Sequence, residues 1–360
     1  MLEQIWGWTE VNNSLSEHSH NRQIGIWLLA VCLLIYAMVV LGGVTRLTGS
    51  GLSMVDWDPF MGWIPPLTQL EWDRVFDLYR QSPEYQKINL GMDLAGFQSI
   101  FLLEYLHRVL GRLIGLAFLL PFIYFWAAGK IQHSVIPRFV LMFILGGLQG
   151  VLGWYMVKSG LIDNPHVSQY RLTAHLAAAF LIYAYLFWTA LGYLLPNAKL
   201  RMGREVSTKL YRTSSWLTLL IVVTILSGGF VAGLKAGYGY NTFPDMNGMY
   251  IPDGLFRESP LWINIFENRT TVQFDHRILA ITVLIATVII WFRYRQIELS
   301  KYARSGMNAL MVMVLIQVAL GISTLLLVVP IHLASTHQAG AVALFTITLF
   351  VNYAARRGMR

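Results

Sequence analysis

Eight long apolar runs alternate with polar stretches along the chain, at approximately residues 24–44, 99–125, 136–157, 171–195, 213–235, 273–292, 306–328 and 331–355. As helices, each is close to the roughly 20 residues needed to cross a hydrocarbon core about 30 Å thick. The last two are parted only by Pro330 and its neighbours, so the break between them rests on proline stopping a helix. The pattern predicts an all-α integral membrane protein with eight transmembrane helices.

The runs repeat in order. Leu41-Gly42-Gly43-Val44 closes the first as Ser227-Gly228-Gly229-Phe230 closes the fifth, and a Gly-x-Gly follows each, Gly49 to Gly51 and Gly237 to Gly239. A long loop comes next in both cases, with Trp63-Ile64-Pro65-Pro66 in one and Tyr250-Ile251-Pro252-Asp253 in the other. His107-Arg108 then matches His276-Arg277, the stretch Leu148 to Gly153 matches Ile316 to Gly321, and Ala174-His175-Leu176-Ala177 matches Thr336-His337-Gln338-Ala339. The expected organisation is two tandem pseudo-symmetric four-helix bundles in the same orientation, related by an axis along the membrane normal. Residues 1–23 form a cytoplasmic N-terminal segment, 24–195 the first half, 196–212 a basic cytoplasmic linker, 213–355 the second half and 356–360 a cytoplasmic tail.

Charge orients this arrangement. With the N-terminus inside, fifteen lysines and arginines fall in inner segments and eight in outer loops, while Arg108, Arg112, Arg171 and Arg277 lie within the spans. The positive-inside rule therefore places both termini in the cytoplasm. The net charge of +8 has the same origin, because the basic residues sit in short runs between apolar segments, which excludes nucleic acid as a partner. Charged residues make up only 13% of the chain against 56% hydrophobic ones, a balance unlike that of a soluble domain. The first 23 residues carry Glu3, Glu10 and Glu17 against a lone Arg22, unlike a signal or transit peptide, and a bacterial plasma membrane is the expected location.

An ionisable side chain inside a bilayer is a functional-site hypothesis by default. The one cysteine, Cys32, builds neither a disulfide nor a cysteine metal cage, so ligation falls to histidine. Four of the nine histidines sit at repeat-equivalent places, His107 and His175 in one half, His276 and His337 in the other. Counted at about 1.5 Å per residue from the span starts, all four fall roughly 5 to 12 Å below the outer interface. Two such histidines on separate helices suit the axial positions of haem iron, or each hydrogen-bonds a neighbouring helix. Zinc fits poorly, since two histidines half fill a tetrahedral site and no HExxH is present.

Arg108 and Arg277 each follow a candidate ligand, about 100° round the helix, where they reach anionic groups at the rim or snorkel to lipid phosphates. Glu104 lies three residues before His107, on nearly the same face and one turn further out, whereas the second half carries Gln273 there. A carboxylate at this place relays protons or stabilises developing positive charge, or it pairs with Arg108 at i+4. His18, His20, His133, His166 and His332 have no repeat partner and read as surface or interface residues. Trp57, Trp63 and Pro65-Pro66 either cover the outer side or anchor the interface.

The stretch from Gly42 to Met54, then Asp56-Trp57, Pro65-Pro66, Glu104-Tyr105-Leu106-His107-Arg108 and Phe274-Asp275-His276-Arg277 together resemble the haem A synthase family in its proteobacterial and mitochondrial form. The resemblance runs through nearly the whole chain. It implies an oxidoreductase acting on a CH group, which oxidises the C8 methyl of haem O to a formyl group by successive hydroxylations and so supplies haem A to cytochrome oxidase. It implies a haem b on His276 and His337, the substrate haem on His107 and His175, and the family glutamate at Glu104. It also implies haem O synthase and other cytochrome oxidase assembly proteins as partners, beside the lipid bilayer and an electron donor or acceptor. Another bacterial branch of the family carries a cysteine pair in the first outer loop, which this chain lacks. Two other readings accommodate four histidines and a duplication: a di-haem b membrane cytochrome that only transfers electrons, and a non-catalytic haem carrier or assembly factor.

Overall fold

The computed structural model describes residues 2–55, 62–160, 165–195, 200 and 202–359, the side chains of 2–19 and 159 excepted. The helices described are α1 (Leu2–Leu47), α2 (Gln69–Arg80), α3 (Pro83–Lys87), α4 (Leu94–Ala127), α5 (Ile136–Gly160), α6 (Gln169–Leu194), α7 (Arg204–Gly233), α8 (Asn264–Glu267), α9 (Arg269–Tyr294), α10 (Lys301–Leu326) and α11 (Ile331–Gly358). Eight of them, α1 from His20 onward, α4 to α7 and α9 to α11, are long and apolar enough to cross a membrane, and no strand occurs among the described residues. The chain is a multi-pass helical membrane protein.

All eight predicted runs become helices, most of them longer than the apolar pattern, because a helix keeps its backbone bonds after the side chains turn polar. The largest difference is at α1, whose backbone is helical from Leu2, and the next is at α7, which begins at Arg204 and so takes up the second part of the 196–212 linker. There Ser207 and Leu210 are buried, and a Cβ on Gly358 would lie 2.8 Å from Ser207 Oγ, so the end of α11 holds this extension in place. The break at Pro330 is real: Val328 and Val329 both take left-handed φ values, 60° and 58°, and Val329 N–H returns to Thr324 O at 2.8 Å.

Helix α1 packs on α4, α6 and α11, and α7 packs on α9, α11 and α6; α5 bridges α4 and α6 as α10 bridges α9 and α11. The neighbour pattern of the first four spanning helices thus recurs in the last four, with α1, α6, α7 and α11 at the centre. In lipid, helices associate through close packing rather than exclusion of water, which favours small residues at crossings. Gly25 and Gly306 serve this end, since a Cβ would meet Leu194 Cγ at 2.5 Å and Val351 Cγ2 at 2.8 Å. Outward faces carry exposed Leu33, Leu120, Leu181, Trp216, Ile289 and Val312, as lipid contact requires.

Two short helices lie in the long loop between α1 and α4, and no apolar run marks them because their signals are polar. Thr68 and Glu71 form a capping box that starts α2, and Ser82 with Pro83 starts α3. They fold back on the N-terminal end of α4 through Phe76 and Tyr79, each stacked 5.0 Å from Phe97, and through Trp72, 5.2 Å from Phe101. This aromatic cluster presses the loop that follows α1 against α4. Trp63 is held there too, its carbonyl accepting from Tyr105 Oη at 2.6 Å and its ring lying beneath Arg112. Trp57 lies outside the described residues.

Candidate functional site

Each of the four repeat-equivalent histidines faces a glycine on the preceding spanning helix. A Cβ placed on Gly42 would lie 3.4 Å from His107 Nε2; on Gly153, 3.0 Å from His175 Cε1; on Gly228, 3.2 Å from His276 Cε1; and on Gly321, 2.9 Å from His337 Cε1. The four rings are half-buried, neither sealed in packing nor set on the surface. Imidazole is bulkier than the gap between two close helices allows, and glycine supplies the space. Gln149 Nε2 donates to His175 O at 2.9 Å, and Gln317 Nε2 donates to His337 O at 2.9 Å, so a Gln-x-x-x-Gly stretch both fixes the histidine backbone and makes room for its ring. The repeat carried this signal, although its role is visible only in the packed helices.

The Gly-Gly pairs also join the halves. Gly42 and Gly228 face the histidine of their own half, while Gly43 and Gly229 face the other: a Cβ on Gly43 would strike Gln338 of α11, and one on Gly229 would come 2.9 Å from Thr173 Oγ1 of α6. Gln338 Nε2 donates to Val39 O at 2.8 Å across that crossing.

The histidines fall into pairs, His107 with His175 and His276 with His337, each within electrostatic range of its partner. No group of three or more His, Cys, Asp or Glu side chains placed to hold a bare metal ion occurs among the described residues. Two imidazoles suit a group that brings its own equatorial ligands and takes axial nitrogens, as haem does. The residues fit it: His175 Nδ1 and His337 Nδ1 are buried and make no hydrogen bond among the described residues, and each ring stands in a glycine cradle. Gly321→Ala is expected to push the His337 ring by several tenths of an ångström and to weaken haem retention in the second half about tenfold, near 1.4 kcal/mol, as read by absorbance titration; Gly115→Ala, which meets nothing within 4 Å, should leave it unchanged.

The two His-Arg stretches hold the loops that follow α1 and α7. Arg277 donates to Thr242 O and Asp245 O at 2.9 Å and to Tyr240 O at 2.8 Å, while Gln273 Nε2 donates to Tyr240 O at 2.9 Å. In the first half Arg108 donates to Met54 O at 3.0 Å and pairs with Glu104 Oε1 at 2.7 Å. Glu104 is buried, and its Oε2 accepts from Ser53 Oγ at 2.8 Å and from Met54 N–H at 2.9 Å. The i+4 pairing with Arg108 is therefore formed. The Glu104 and Gln273 difference inverts a hydrogen bond: the carboxylate receives a backbone N–H where the amide donates to a backbone carbonyl. Ser53 and Met54 also line a cavity of about 580 Å³ between α4 and the loop that follows α1, with Pro65, Pro66, Phe101 and Tyr105.

A second buried carboxylate, Glu84, sits in that loop and accepts from Tyr79 Oη at 3.2 Å, whose oxygen accepts from Asn89 Nδ2 at 2.7 Å. Burial, with a smaller contribution from Glu104, pushes Glu84 up to about 7 from an ordinary 4.5. The folded loop then binds this proton more tightly than the unfolded one, so its stability is full below about 4.5, falls as pH rises and levels off above about 7, a loss on the order of 3 kcal/mol. Hydrogen exchange over α2 and α3, corrected for intrinsic rates, should show protection falling between pH 5 and pH 8 in the wild type and not in Glu84→Gln.

Helices and histidine pairs together define a multi-pass membrane protein with two pairs of histidines among its spanning helices. The chain belongs to the COX15-CtaA family of cytochrome oxidase assembly proteins, whose profile matches residues 25–349. It is 53% identical over 336 residues to a protein of Nitrosospira multiformis named heme A synthase, covering 93% of this chain and 94% of that one. It is 45% identical over 350 residues to human heme A synthase COX15, covering 96% and 85%, and 45% identical over 344 residues to the Arabidopsis thaliana protein of that name, covering 93% and 75%.

Proposed function

We propose that this chain oxidises the C8 methyl group of haem O to the formyl group of haem A in a bacterial inner membrane, with both termini in the cytoplasm and the histidines in the outer leaflet. The observation that carries the proposal is the duplicated, glycine-cradled histidine pair with a carboxylate, Glu104, three residues before the first histidine where the other half has Gln273; the printed names of the relatives support it. His276 and His337 hold a haem b, and His107 and His175 hold the substrate haem.

The halves differ in the way this assignment requires. Ser227 Oγ bonds His276 Nδ1 at 2.8 Å and so presents Nε2 to a ligand. At the matching place α1 carries Leu41. A ring fixed by a second hydrogen bond suits a resident cofactor, and a ring free of one suits a group that must bind and leave. Arg277 keeps a buried Nε–H with no acceptor among the described residues, which a propionate oxygen would accept. Arg108 acts at the other rim by fixing Glu104 and the Met54 carbonyl.

The bound haems supply the redox chemistry, and an external acceptor takes the electrons. The chain positions and handles charge. Glu104, fixed one turn outside His107 by Arg108, Ser53 and Met54, is the group placed to accept a proton or to stabilise positive charge as the methyl carbon is oxidised. The first outer loop covers this side and limits water. Haem O synthase and other cytochrome oxidase assembly proteins are the expected partners.

Chromatography of haems extracted after incubating the purified protein with haem O and an electron acceptor tests the proposal. The hydroxymethyl intermediate and the formyl product are expected. Haem b retained without any modified porphyrin would instead establish an electron-transfer cytochrome, and stoichiometric, exchangeable, unmodified haem in both halves would establish a carrier.

A further inference from the structure

Three cations and a histidine from four separate segments meet at the outer mouth of the seam between the halves. They are Arg46 in the last turn of α1, His166 just before α6, Lys235 just after α7 and Arg269 at the first residue of α9. His166 is within electrostatic range of the other three at once; burial and then Arg46, Lys235 and Arg269 hold its imidazole below the ordinary histidine range. Close approach of like charges is unfavourable unless something offsets it.

Among the described residues, no carboxylate forms an ion pair with any of the four: the ion pairs are Arg80 with Asp77, Arg108 with Glu104 and Lys209 with Glu205. The nearby carboxylate of Glu267 accepts from Tyr170 Oη at 2.9 Å. Arg46 spends one nitrogen on Gly233 O at 3.2 Å, while its Nε is buried with no hydrogen-bond partner among the described residues. Lys235 occupies a left-handed position, φ 54°, at a helix end where glycine is the ordinary residue.

Position ties the cluster to the histidines. Arg46 is one turn beyond Gly42, about 6 Å further out on the face that meets His107, and Arg269 is about 10 Å outward of His276 on the same face of α9. Most of the Arg277 donors, by contrast, are committed to loop carbonyls.

We infer that Arg46, His166, Lys235 and Arg269 form an oxyanion site at the outer end of the seam, which takes a carboxylate or phosphate group presented at the membrane interface. Two sources share that chemistry: the propionates of a haem held below it, which rests on the proposed function, and the phosphate of an anionic phospholipid, which does not. Guanidinium and ammonium donors converging from both halves would neutralise the anion and draw the seam together.

The test uses the full-length protein in nanodiscs, with exposed Lys235 and Arg269 replaced together as Lys235→Gln/Arg269→Gln so that the Arg46 bond to Gly233 is left intact. One arm measures retention of phosphatidylglycerol by native mass spectrometry. The other compares binding of haem b with binding of its dimethyl ester, whose propionates carry no charge. A loss of about tenfold in lipid retention, or a loss of about tenfold in haem b affinity without change for the ester, supports the site and identifies its source. Changes below about twofold in both arms overturn it. If the wild type binds no haem at all, the proposed function fails, and the lipid arm alone then decides the oxyanion site.

Discussion

Alanine at His276 or His337 is expected to empty the second half of haem b, with the reduced bis-histidine absorbance bands falling at least about tenfold. Each imidazole is one of only two ligand-type side chains at its site, because no cluster of three occurs among the described residues and no neighbouring side chain is placed to substitute. The space behind the ring is glycine, Gly228 or Gly321, so nothing fills the gap that alanine leaves. His276→Ala also strands the Ser227 hydroxyl, which then returns only to Thr224 O. His107→Ala and His175→Ala should leave those bands in place and abolish turnover, because they act on the other half. A normal bis-histidine spectrum in either second-half variant would reverse the assignment of the halves.

Glu104→Gln is expected to abolish haem A formation, by more than about a hundredfold in turnover, while the haem b spectrum stays that of the wild type. The substitution gives the first half the residue that the second half already has. Three donors converge on the Glu104 carboxylate, from Arg108, Ser53 and Met54. An amide accepts through one oxygen only, and its NH2 must then face a donor. The same change removes the group able to accept a proton beside the substrate haem. Extracted haems and the reduced spectrum, measured on one preparation, separate this outcome from loss of the fold. Normal turnover in Glu104→Gln would remove the carboxylate from the mechanism.

Much of this molecule was legible in its residue order. The eight spans follow from apolar runs of bilayer length, and the break at Pro330 follows from proline. The four histidines emerged because a duplication lets each half be read against the other, which separates His107 and His276 from histidines with no counterpart. The i+4 spacing of Glu104 and Arg108 foretold their pairing. Helices α2 and α3 leave no apolar run to read, because a capping box and a Ser-Pro start are polar signals inside a polar loop. The oxyanion cluster was missed for a deeper reason: Arg46, His166, Lys235 and Arg269 are far apart in the chain, and His166 alone is an ordinary surface histidine.

The sequence by itself determined the spans, the candidate ligands and the difference between Glu104 and Gln273, because bilayer thickness, helical periodicity and repetition are local or internally comparable properties. Only the tertiary structure decided that Gly42, Gly153, Gly228 and Gly321 make room for the four rings, that Gly43 and Gly229 bring the halves together, and that Glu104 is fixed by a loop residue fifty positions away. Those facts depend on which helix faces cross and how closely, and in a bilayer every helix face is apolar enough to be a candidate for the crossing.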